Sequence, residues 1–436
     1  MSRSSRNKHL SPKARRIRRR NNQRIRRLVL FMLVLVVALG AASLALFKPG
    51  GEDRSDGKEV GTQKETTIVV SSAGDIILHD PFLVSSEYKT GDGYDYKSCF
   101  KFIRDYYESA DFMVVNLETT LAGKERGYTG YPAFNSPDEI ASDLTKCGVD
   151  LMLLANNHIY DTGKSGFLRT SQFLEDKGFL HTGARNSDDD KPYFIKEIKG
   201  IKLGIINYTY ETPGAGKSIN ANTMDSSVAG YLNSFDPENL GTFYEEFKKR
   251  LEEMRSKGAE FIIFYPHWGN EYMTKENSYQ HEMSQVLCNM GVDAVIGGHP
   301  HVVQPLDMLT SEDGKHKMFC AYSMGNQLTN QRREYVPMKS GHTEDGMIVS
   351  LEITKNKEGV VSLTKVSCVP VWVEKTGKPA YYILAADEYD SLESDTGLSG
   401  VGAEAKASAS RTHAIIDEGL KKVNEALNSS REGESE

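Results

Sequence analysis

Paired cysteines, a phosphate-binding glycine loop and a nucleophile elbow are all missing from this sequence. Its five cysteines are far apart, odd in number and without CxxC spacing. That pattern disfavours a disulfide framework and predicts buried free thiols. Because neither G-x-x-x-x-G-K-[ST] nor G-x-S-x-G occurs, the sequence does not indicate P-loop or serine-elbow chemistry.

Basic residues are scarce outside the N-terminus. Residues 1–27 carry twelve Lys or Arg and no acid, and the remaining chain has 41 basic against 60 acidic residues, a net charge of −19. Surfaces that bind nucleic acid are normally basic. We therefore predict no nucleic acid as a partner of the remaining chain.

A long uncharged and largely aliphatic run follows the basic arm at residues 28–47. About 20 such residues can cross a bilayer as a helix. A cleaved signal peptide is the alternative, although its apolar region is normally only ~7–15 residues long. We predict a single-pass cell-membrane anchor, with residues 1–27 as a basic cytoplasmic arm and the domain that follows outside the cytoplasm. Residues 48–65 are predicted to form a flexible linker.

Short apolar runs alternate with helix-like segments through residues 66–375. Such alternation predicts an α/β fold with mainly β–α crossovers. The strand-like runs are Ile68–Val70, Phe112–Val115, Leu151–Ala155, Lys202–Asn207, Phe261–Tyr265, Val292–Ile296 and Met318–Tyr322, and a hairpin is predicted over Gly346–Thr354 and Val360–Val373. The helix-like segments are Tyr96–Ser109, Pro137–Cys147, Ser165–Lys177, Pro237–Lys257 and Ser278–Met290. Residues 376–436 are predicted to be a partly disordered C-terminal extension with a helix over Ala414–Leu427.

Residues 292–301, with the sequence VDAVIGGHPH, are a candidate metal-binding segment. In extended backbone, the side chains of His299 and His301 would point to the same side. Pro300 should also bias His299 towards extended geometry. Two stiffly held imidazoles are good metal ligands. A Gly-Pro turn with incidental histidines is the alternative for this segment taken alone.

Residues that can bind metals follow four other predicted strands. They are Asp75, Glu118, the Asn156-Asn157-His158 run and His267. In open α/β sheets ligands bind beyond the carboxyl ends of the strands, so these residues should converge. Carboxylate, amide and imidazole donors together suit Mn, Fe or Zn, and a carboxylate can bridge two ions. We therefore predict a site for two divalent ions that would activate water and neutralise a phosphate-like group.

These positions resemble, in order, the motifs of the CapA family. That family is named for poly-γ-glutamate capsule biosynthesis and belongs to the calcineurin-like metallophosphoesterase superfamily. The matching motifs are Gly74-Asp75, Asn116-Leu117-Glu118, Ala155-Asn156-Asn157-His158, His267-Trp268-Gly269, Gly298-His299-Pro300-His301 and Ser323-Met324-Gly325-Asn326. The likeness covers about residues 66–373. It implies a four-layer α/β/β/α sandwich of metallophosphoesterase type.

The resemblance also implies a role for each residue of the site. By this likeness Asp75 and His301 would hold one metal, Asn157, His267 and His299 the other, Glu118 would bridge them, and His158 would protonate the leaving oxygen. The chain departs from the superfamily at one position, because the usual Asp-x-His motif has Ile77 in place of its histidine. Either one metal site lacks a ligand or His79 replaces it, and a structural or solvent-facing role for His79 is the alternative.

Four further residues are candidate substrate-binding groups. Trp268 and Tyr272 follow the His267 motif and could form an aromatic wall, with core packing as the alternative. Arg332 and Arg333 lie in a long loop and could clamp an anion, with solvated surface charge as the alternative.

Two functions are consistent with these features. The first is a membrane-anchored, extracytoplasmic CapA-type protein of capsule or poly-γ-glutamate biosynthesis that carries a metal-dependent phosphoesterase-like hydrolase site. The second is a non-catalytic accessory subunit that binds or guides an anionic polymer in a membrane synthase complex. The implied partners are the membrane, other synthase subunits, and an anionic polymer or phosphoester substrate.

The anchor prediction can be checked by proteolysis of intact cells. Protease added outside should digest the domain after residue 48 and spare residues 1–27, because residues 28–47 are predicted to span the membrane once. Immunoblotting with a tag at each end measures both fates. Protection of the domain, or a mature protein that begins near residue 45, would overturn the anchor prediction.

Overall fold

The computed structural model describes residues 64–433. The predicted basic arm, the predicted membrane span and residues 48–63 of the predicted linker lie outside this range. Within it, no helix is both long enough and apolar enough to cross a membrane.

The secondary structure of residues 64–433 alternates between strands and helices. The strands are β1 (Thr66–Ile76), β2 (Lys89–Thr90), β3 (Gly93–Tyr94), β4 (Phe112–Leu117), β5 (Leu151–Leu153), β6 (Leu180–Thr182), β7 (Phe194–Ile198), β8 (Ile201–Tyr210), β9 (Ser218–Ile219), β10 (Asn222–Thr223), β11 (Ser234–Phe235), β12 (Phe261–His267), β13 (Ala294–Ile296), β14 (Leu306–Thr310), β15 (Lys317–Ala321), β16 (Asn326–Leu328), β17 (Asp345–Lys355), β18 (Val361–Lys375) and β19 (Tyr381–Ala385). The helices are α1 (Asp80–Val84), α2 (Arg104–Glu108), α3 (Glu139–Lys146), α4 (Gly163–Lys177), α5 (Leu240–Ser256), α6 (Ser278–Asn289), α7 (Leu392–Thr396) and α8 (Val401–Gly433).

Two large sheets carry the fold. The first has the strand order β19-β18-β17-β1-β4-β5-β6, with β16 also paired to β1. Strands β1, β4, β5 and β6 run parallel, β17 is antiparallel to β1, and β18 is antiparallel to β17. The second has the order β11-β8-β12-β13-β15-β14, with β7 beside β8. Strands β8, β12, β13 and β15 run parallel, so each sheet gathers several carboxyl ends at one edge.

The two sheets pack face to face, and helices cover their outer faces. Alternate residues of β4 show this, because Phe112 and Val114 join the cluster between the sheets while Met113 and Val115 join the outer cluster with α3 and α4. Such alternation is the period-two geometry of a strand. Helices α5 and α6 cover the second sheet through residues such as Phe247. The layers are therefore helix, sheet, sheet and helix, and the predicted mixed α/β fold is confirmed.

The predicted elements agree with the observed ones in position and differ in extent. Each strand-like run and both hairpin strands lie on observed strands, and β19 adds a further strand to the first sheet beyond residue 375. The helix predicted over residues 96–109 is instead a 3₁₀ turn at Lys97–Phe100 followed by the short α2. The C-terminal helix α8 extends well beyond the predicted Ala414–Leu427 at both ends. All five cysteines are free, as predicted; four are buried, and Cys368 is half-buried.

A close backbone contact places the end of β1 beside β16. The pairing of β1 with β4 shifts register between Ala73 and Asp75, and the Asp75 N–H donates to Gly325 O at 3.1 Å. A Cβ on Gly74 would lie only 2.0 Å from that same Gly325 oxygen. A side chain at position 74 would clash with this oxygen, so only glycine fits there. Packing therefore requires the glycine of the Gly74-Asp75 pair, just as the predicted metal site requires its aspartate.

A buried ion pair joins helix α8 to the first sheet. Arg411 Nε and Nη2 each lie 2.7 Å from a carboxylate oxygen of Asp345, at the start of β17. The Asp345 side chain is only 3% exposed. Burial raises the pKa of Asp345, and the Arg411 guanidinium opposes that shift.

Removing Arg411 should therefore destabilise the protein. Arg411→Ala leaves the Asp345 carboxylate buried and unpaired, and we expect the free energy of unfolding to fall by about 3 kcal/mol. Lys422→Ala is the matched control, because Lys422 pairs with Glu418 on the exposed face of the same helix. Urea unfolding should show a lower midpoint for Arg411→Ala alone. Equal midpoints in the two variants would contradict the structural role of this pair.

Candidate metal centre

The predicted metal ligands converge where the carboxyl edges of the two sheets meet. Asp75 and Glu118 come from β1 and the end of β4, and Asn157 follows β5 in the first sheet. His267 ends β12, and the two histidines of the Gly-His-Pro-His motif follow β13 in the second sheet. The ring of His299 lies 4.8 Å from that of His267 and 6.0 Å from that of His301. All six side chains are buried.

The first group of potential ligands consists of Asp75, Glu118 and His301, whose donor atoms lie within 4.8 Å of one another. His301 Nδ1 is 3.4 Å from Asp75 Oδ2, and His301 Nε2 is 3.8 Å from Glu118 Oε1. The imidazole therefore lies between two carboxylates, one from each of two neighbouring strands.

The second group consists of Glu118, His267 and His299, again with donor atoms within 4.8 Å. His267 Nε2 is 3.5 Å from Glu118 Oε1 and 2.8 Å from Asn157 Oδ1. Asn157 can therefore add a fourth donor to this group. Glu118 belongs to both groups, which is the position a bridging carboxylate needs.

Two buried atoms of the centre lack hydrogen-bond partners. Glu118 Oε1 and His299 Nδ1 are buried, and neither has a partner within residues 64–433. A buried polar atom left in this state costs about 1–3 kcal/mol. A divalent cation would satisfy both atoms, and the donor set of carboxylate, amide and imidazole suits Mn, Fe or Zn. The residues present therefore fit a metal ion.

The pKa shifts show how strongly the centre attracts positive charge. Burial opposes a charge on His301, but the Glu118 and Asp75 carboxylates outweigh it and raise the pKa of His301 to about 9. Burial, His267 and His301 hold the pKa of His299 well below its usual range. The carboxylates therefore favour a proton on one imidazole, whereas burial and the neighbouring histidines keep the other neutral.

Asn116 orients both carboxylates and had no role assigned from the sequence. Its Nδ2 donates to Asp75 Oδ1 at 2.7 Å and lies 3.3 Å from Glu118 Oε2. Asn156 in turn donates to Asn116 Oδ1 at 3.2 Å. Asn116 lies two residues before Glu118, on the same side of the chain, and that spacing was the available signal. Partners of this kind fix the direction in which ligands point.

Asn326 holds His301 in a comparable way. Its Oδ1 lies 3.1 Å from His301 Nδ1, and its Nδ2 donates to His301 O at 3.2 Å and to Thr343 O at 2.9 Å. The sequence motif contained Asn326 but did not suggest this contact. Because Nδ1 faces Asn326 and Asp75, Nε2 is the nitrogen directed towards Glu118.

The backbone of the Gly-His-Pro-His motif is not extended, which corrects the prediction. His299 has φ 96° and His301 has φ 57°, both in the left-handed region. Such conformations cost about 1–3 kcal/mol each and persist where surrounding contacts hold them. Here the His299 N–H donates to Asp75 Oδ2 at 3.2 Å. The two imidazoles still converge, but through strained turns and not through strand alternation.

Asp161 fixes the orientation of the His158 imidazole. His158 Nδ1 lies 2.7 Å from Asp161 Oδ2, which also accepts the Phe134 N–H at 2.8 Å. The Phe134 ring meets the imidazole edge to face at 4.7 Å. With Nδ1 donating to the carboxylate, Nε2 is the free nitrogen. Asp161 was missed in the sequence, where its only signal is a position three residues after His158.

A cavity of about 320 Å³ adjoins the centre. Its lining includes His158, His301 and the predicted Tyr272. Trp268 does not line it, because this side chain is fully buried and its Nε1 donates to Tyr322 O at 2.8 Å. The prediction of an aromatic wall is therefore corrected for Trp268, which packs in the core of the second sheet.

Arg332 and Arg333 do not line the cavity either, which corrects the predicted anion clamp. Both guanidinium groups bind the buried Glu344 carboxylate, at 3.2 Å and 3.0 Å, and Arg332 also donates to Val373 O at 2.8 Å. A fully buried carboxylate needs such partners. The guanidinium groups of Arg332 and Arg333 therefore neutralise the buried Glu344 carboxylate.

His79 lines the cavity without joining any donor group found in residues 64–433. Its Nδ1 accepts the Asn330 N–H at 3.2 Å. Burial, with a smaller contribution from His301, lowers the pKa of His79 to about 3, so the ring is neutral. These contacts favour the structural alternative for this residue.

Together the fold and the centre define a mixed α/β protein with a candidate metal centre at the meeting edges of two sheets. The chain belongs to the family described as Bacterial capsule synthesis protein PGA_cap, because the model of that family matches residues 69–331. The resemblance to CapA-type proteins is thereby confirmed.

Two relatives and one solved structure illustrate the similarity. The chain is 22% identical over 317 residues to the PGA biosynthesis protein CapA of Bacillus subtilis (strain 168), covering 72% of this chain and 75% of that protein. It is 23% identical over 316 residues to the capsule biosynthesis protein CapA of Bacillus anthracis, covering 70% and 68%. The calcineurin-like phosphoesterase YfkN from Bacillus subtilis is 14% identical, with a TM-score of 0.36 over 70% of this chain and 91% of that chain.

Substitution of the motif histidines should lower metal binding. His299→Ala and His301→Ala each remove one imidazole donor, and we expect each to weaken Mn²⁺ or Zn²⁺ binding by at least about tenfold. Metal content after equilibrium dialysis, measured by mass spectrometry, gives the comparison. His413→Ala is the control, because this histidine lies on α8 between Asp387 and Asp417. Equal metal content in the parent, the two motif variants and the control would mean that neither motif histidine is a ligand.

Proposed function

We propose that this chain is a membrane-anchored, extracytoplasmic protein of capsule biosynthesis with a metal-dependent, phosphoesterase-like hydrolase site. Membership of the PGA_cap family and the names of the two CapA relatives support the biosynthetic role. One observation carries the hydrolase part of the proposal. Two donor groups share Glu118, and the cavity beside them contains a histidine held by a carboxylate.

The proposal includes a fold of the metallophosphoesterase type. The order of layers, with helices outside two packed sheets, supports it. So does the placement of the donor residues at carboxyl strand ends, where α/β proteins bind ligands.

The proposed cofactor is a pair of divalent ions, Mn, Fe or Zn. When bound, they would polarise a phosphoryl oxygen and neutralise its charge. Asp75, Glu118 and His301 would hold one ion, and Glu118, His267, His299 and Asn157 the other.

His158 would act as the general acid. Its Nδ1–H···Oδ2 contact with Asp161 fixes the ring and leaves Nε2 to carry a proton to the leaving oxygen. The side chain lines the same cavity as His301, so the proton donor lies beside the donor groups. Phe134 packs against the ring and limits the approach of water from that side.

The charge of the cavity supports a hydrolase over a subunit that only guides a polyanion. No Lys or Arg is among the cavity-lining residues of the described chain, and Glu271 is the carboxylate there. A groove that binds an anionic polymer through its side chains would need cations. Metal ions would therefore be the positive charges that receive a phosphoester.

Membrane anchoring by residues 28–47 belongs to the proposal. The apolar run and the basic arm before it support this topology. Other subunits of a membrane synthase are the proposed partners, and the domain would face them outside the cytoplasm.

Substitution of His158 separates catalysis from metal binding. His158→Ala in the full-length protein should lower turnover of p-nitrophenyl phosphate by about 10²–10⁴-fold, because general acid assistance contributes that much. Its metal content and thermal midpoint should equal those of the parent. Glu118→Ala should lose both turnover and metal, because its carboxylate belongs to both groups.

His316→Ala serves as the control for a histidine outside the cavity; its Nε2 contacts Val292 O at the opposite end of β13. The accessory-subunit alternative makes the opposite prediction. If His158→Ala supported polymer production as well as the parent while Glu118→Ala did not, the hydrolase proposal would fail.

A further inference from the structure

A third group of potential ligands lies at the mouth of the cavity. Donor atoms of Glu271, His299 and His301 lie within 4.8 Å of one another. Glu271 is exposed and lines the cavity, whereas the two histidines are buried. Neither the sequence motifs nor the proposed hydrolase site assigns a role to Glu271.

The two inner groups differ in how many donors they have. Glu118, His267 and His299 gain a fourth donor from Asn157, whose Oδ1 lies 2.8 Å from His267 Nε2. The group around His301 has Asp75 and Glu118, and within residues 64–433 its neighbouring amide oxygen, Asn326 Oδ1, lies against Nδ1 of His301 and not against Nε2, the nitrogen directed towards Glu118. Four donors is the usual minimum for ions such as Zn²⁺.

On the cavity side of His301, two residues have an atom that could be the missing donor, Glu271 and His79. Ile77 lines this cavity but has no atom that can bind a metal. Glu271 lines the same cavity and places a carboxylate oxygen within 4.8 Å of the His301 donor atom. His79 also lies there, but its Nδ1 already accepts the Asn330 N–H.

The backbone ties the segment of Glu271 to the histidine motif. The N–H of Tyr272 donates to Pro300 O at 2.8 Å, so the residue after Glu271 is joined to the residue between the two histidines. Tyr272 has φ 63°, a left-handed conformation that costs energy for a tyrosine. This strained link keeps the carboxylate beside the imidazoles.

Two further observations point to a cation at this position. Glu271 forms no ion pair with a Lys or Arg anywhere in residues 64–433, although it adjoins an imidazole pair. His299, which belongs both to this third group and to the group of His267, has a buried Nδ1 without a hydrogen-bond partner in that same range. An unpaired carboxylate and an unsatisfied imidazole nitrogen are both satisfied by a metal ion.

We propose that Glu271 is a metal ligand that completes the ion site of Asp75, Glu118 and His301 from the side of the cavity. It supplies the donor that Ile77 cannot supply. The ligand class is a hard or borderline divalent cation, such as Mn²⁺, Fe²⁺ or Zn²⁺. The inference rests on the metal centre of the proposed function but not on its hydrolase activity.

Mn²⁺ binding by the full-length chain in detergent tests this assignment. Equilibrium dialysis of metal-stripped protein should give two ions per parent chain, and electron paramagnetic resonance should show a coupled pair. In Glu271→Gln, which keeps the size of the side chain and removes its charge, the second ion should bind at least about tenfold more weakly. The first ion, held by the group with His267, should bind as in the parent. Glu276→Gln is the matched control, because Glu276 lies in the same connection and does not line the cavity.

Each outcome discriminates between the proposals. Two ions bound with equal affinity in the parent and in Glu271→Gln would overturn the role of Glu271 and leave the proposed function intact. Loss of both ions in Glu271→Gln would overturn its assignment to the site of His301. A parent chain that binds no metal would refute the proposed metal centre itself. Because Glu271 is exposed, the thermal midpoint of the metal-stripped variant should match that of the parent.

Discussion

A buried carboxylate with one unsatisfied oxygen is the central constraint of this structure. Glu118 directly follows a parallel strand where the two sheets meet, and two imidazoles from the other sheet, His267 and His301, lie within 4 Å of its unsatisfied oxygen. Leaving such a group buried is costly unless positive charge reaches it. Either a proton on His301 or a metal ion can provide that charge. The packing of the two sheets therefore requires positive charge beside Glu118 as well as burial of apolar side chains.

The two sheets reach this arrangement by ordinary strand geometry. Alternating residues of β4 send one set of side chains between the sheets and the other towards the helices. Parallel strands in each sheet bring their carboxyl ends to a common edge. Since the apolar layer aligns the two sheets, the donor residues at their ends lie within a few ångströms without any long-range signal in the sequence. Asn116 and Asn326 then fix how the donors point.

The sequence predicted which residues would meet, but not how they are held. Strand periodicity located the elements, and residue type at each strand end located the six candidate donor residues, because both are local properties of the chain. The left-handed backbone conformation of His299 cannot be inferred from neighbouring residues, because it depends on a hydrogen bond to Asp75 across the site. Trp268 and the two loop arginines were misplaced because burial and a distant partner, Glu344, decide where they point. Glu271 carries no motif signal that periodicity can reveal.

The loop that supplies one wall of the cavity depends on the C-terminal part of the chain. Residues 335–337 line the cavity, and Arg333 just before them binds Glu344 and also Glu404 on α8. The family match ends at residue 331, before any of these contacts. The contacts that hold this wall of the cavity therefore extend to Glu404, about 70 residues beyond the end of the family match. Relatives that diverge after the shared region could keep the same metal donors and yet present a differently shaped entrance to them.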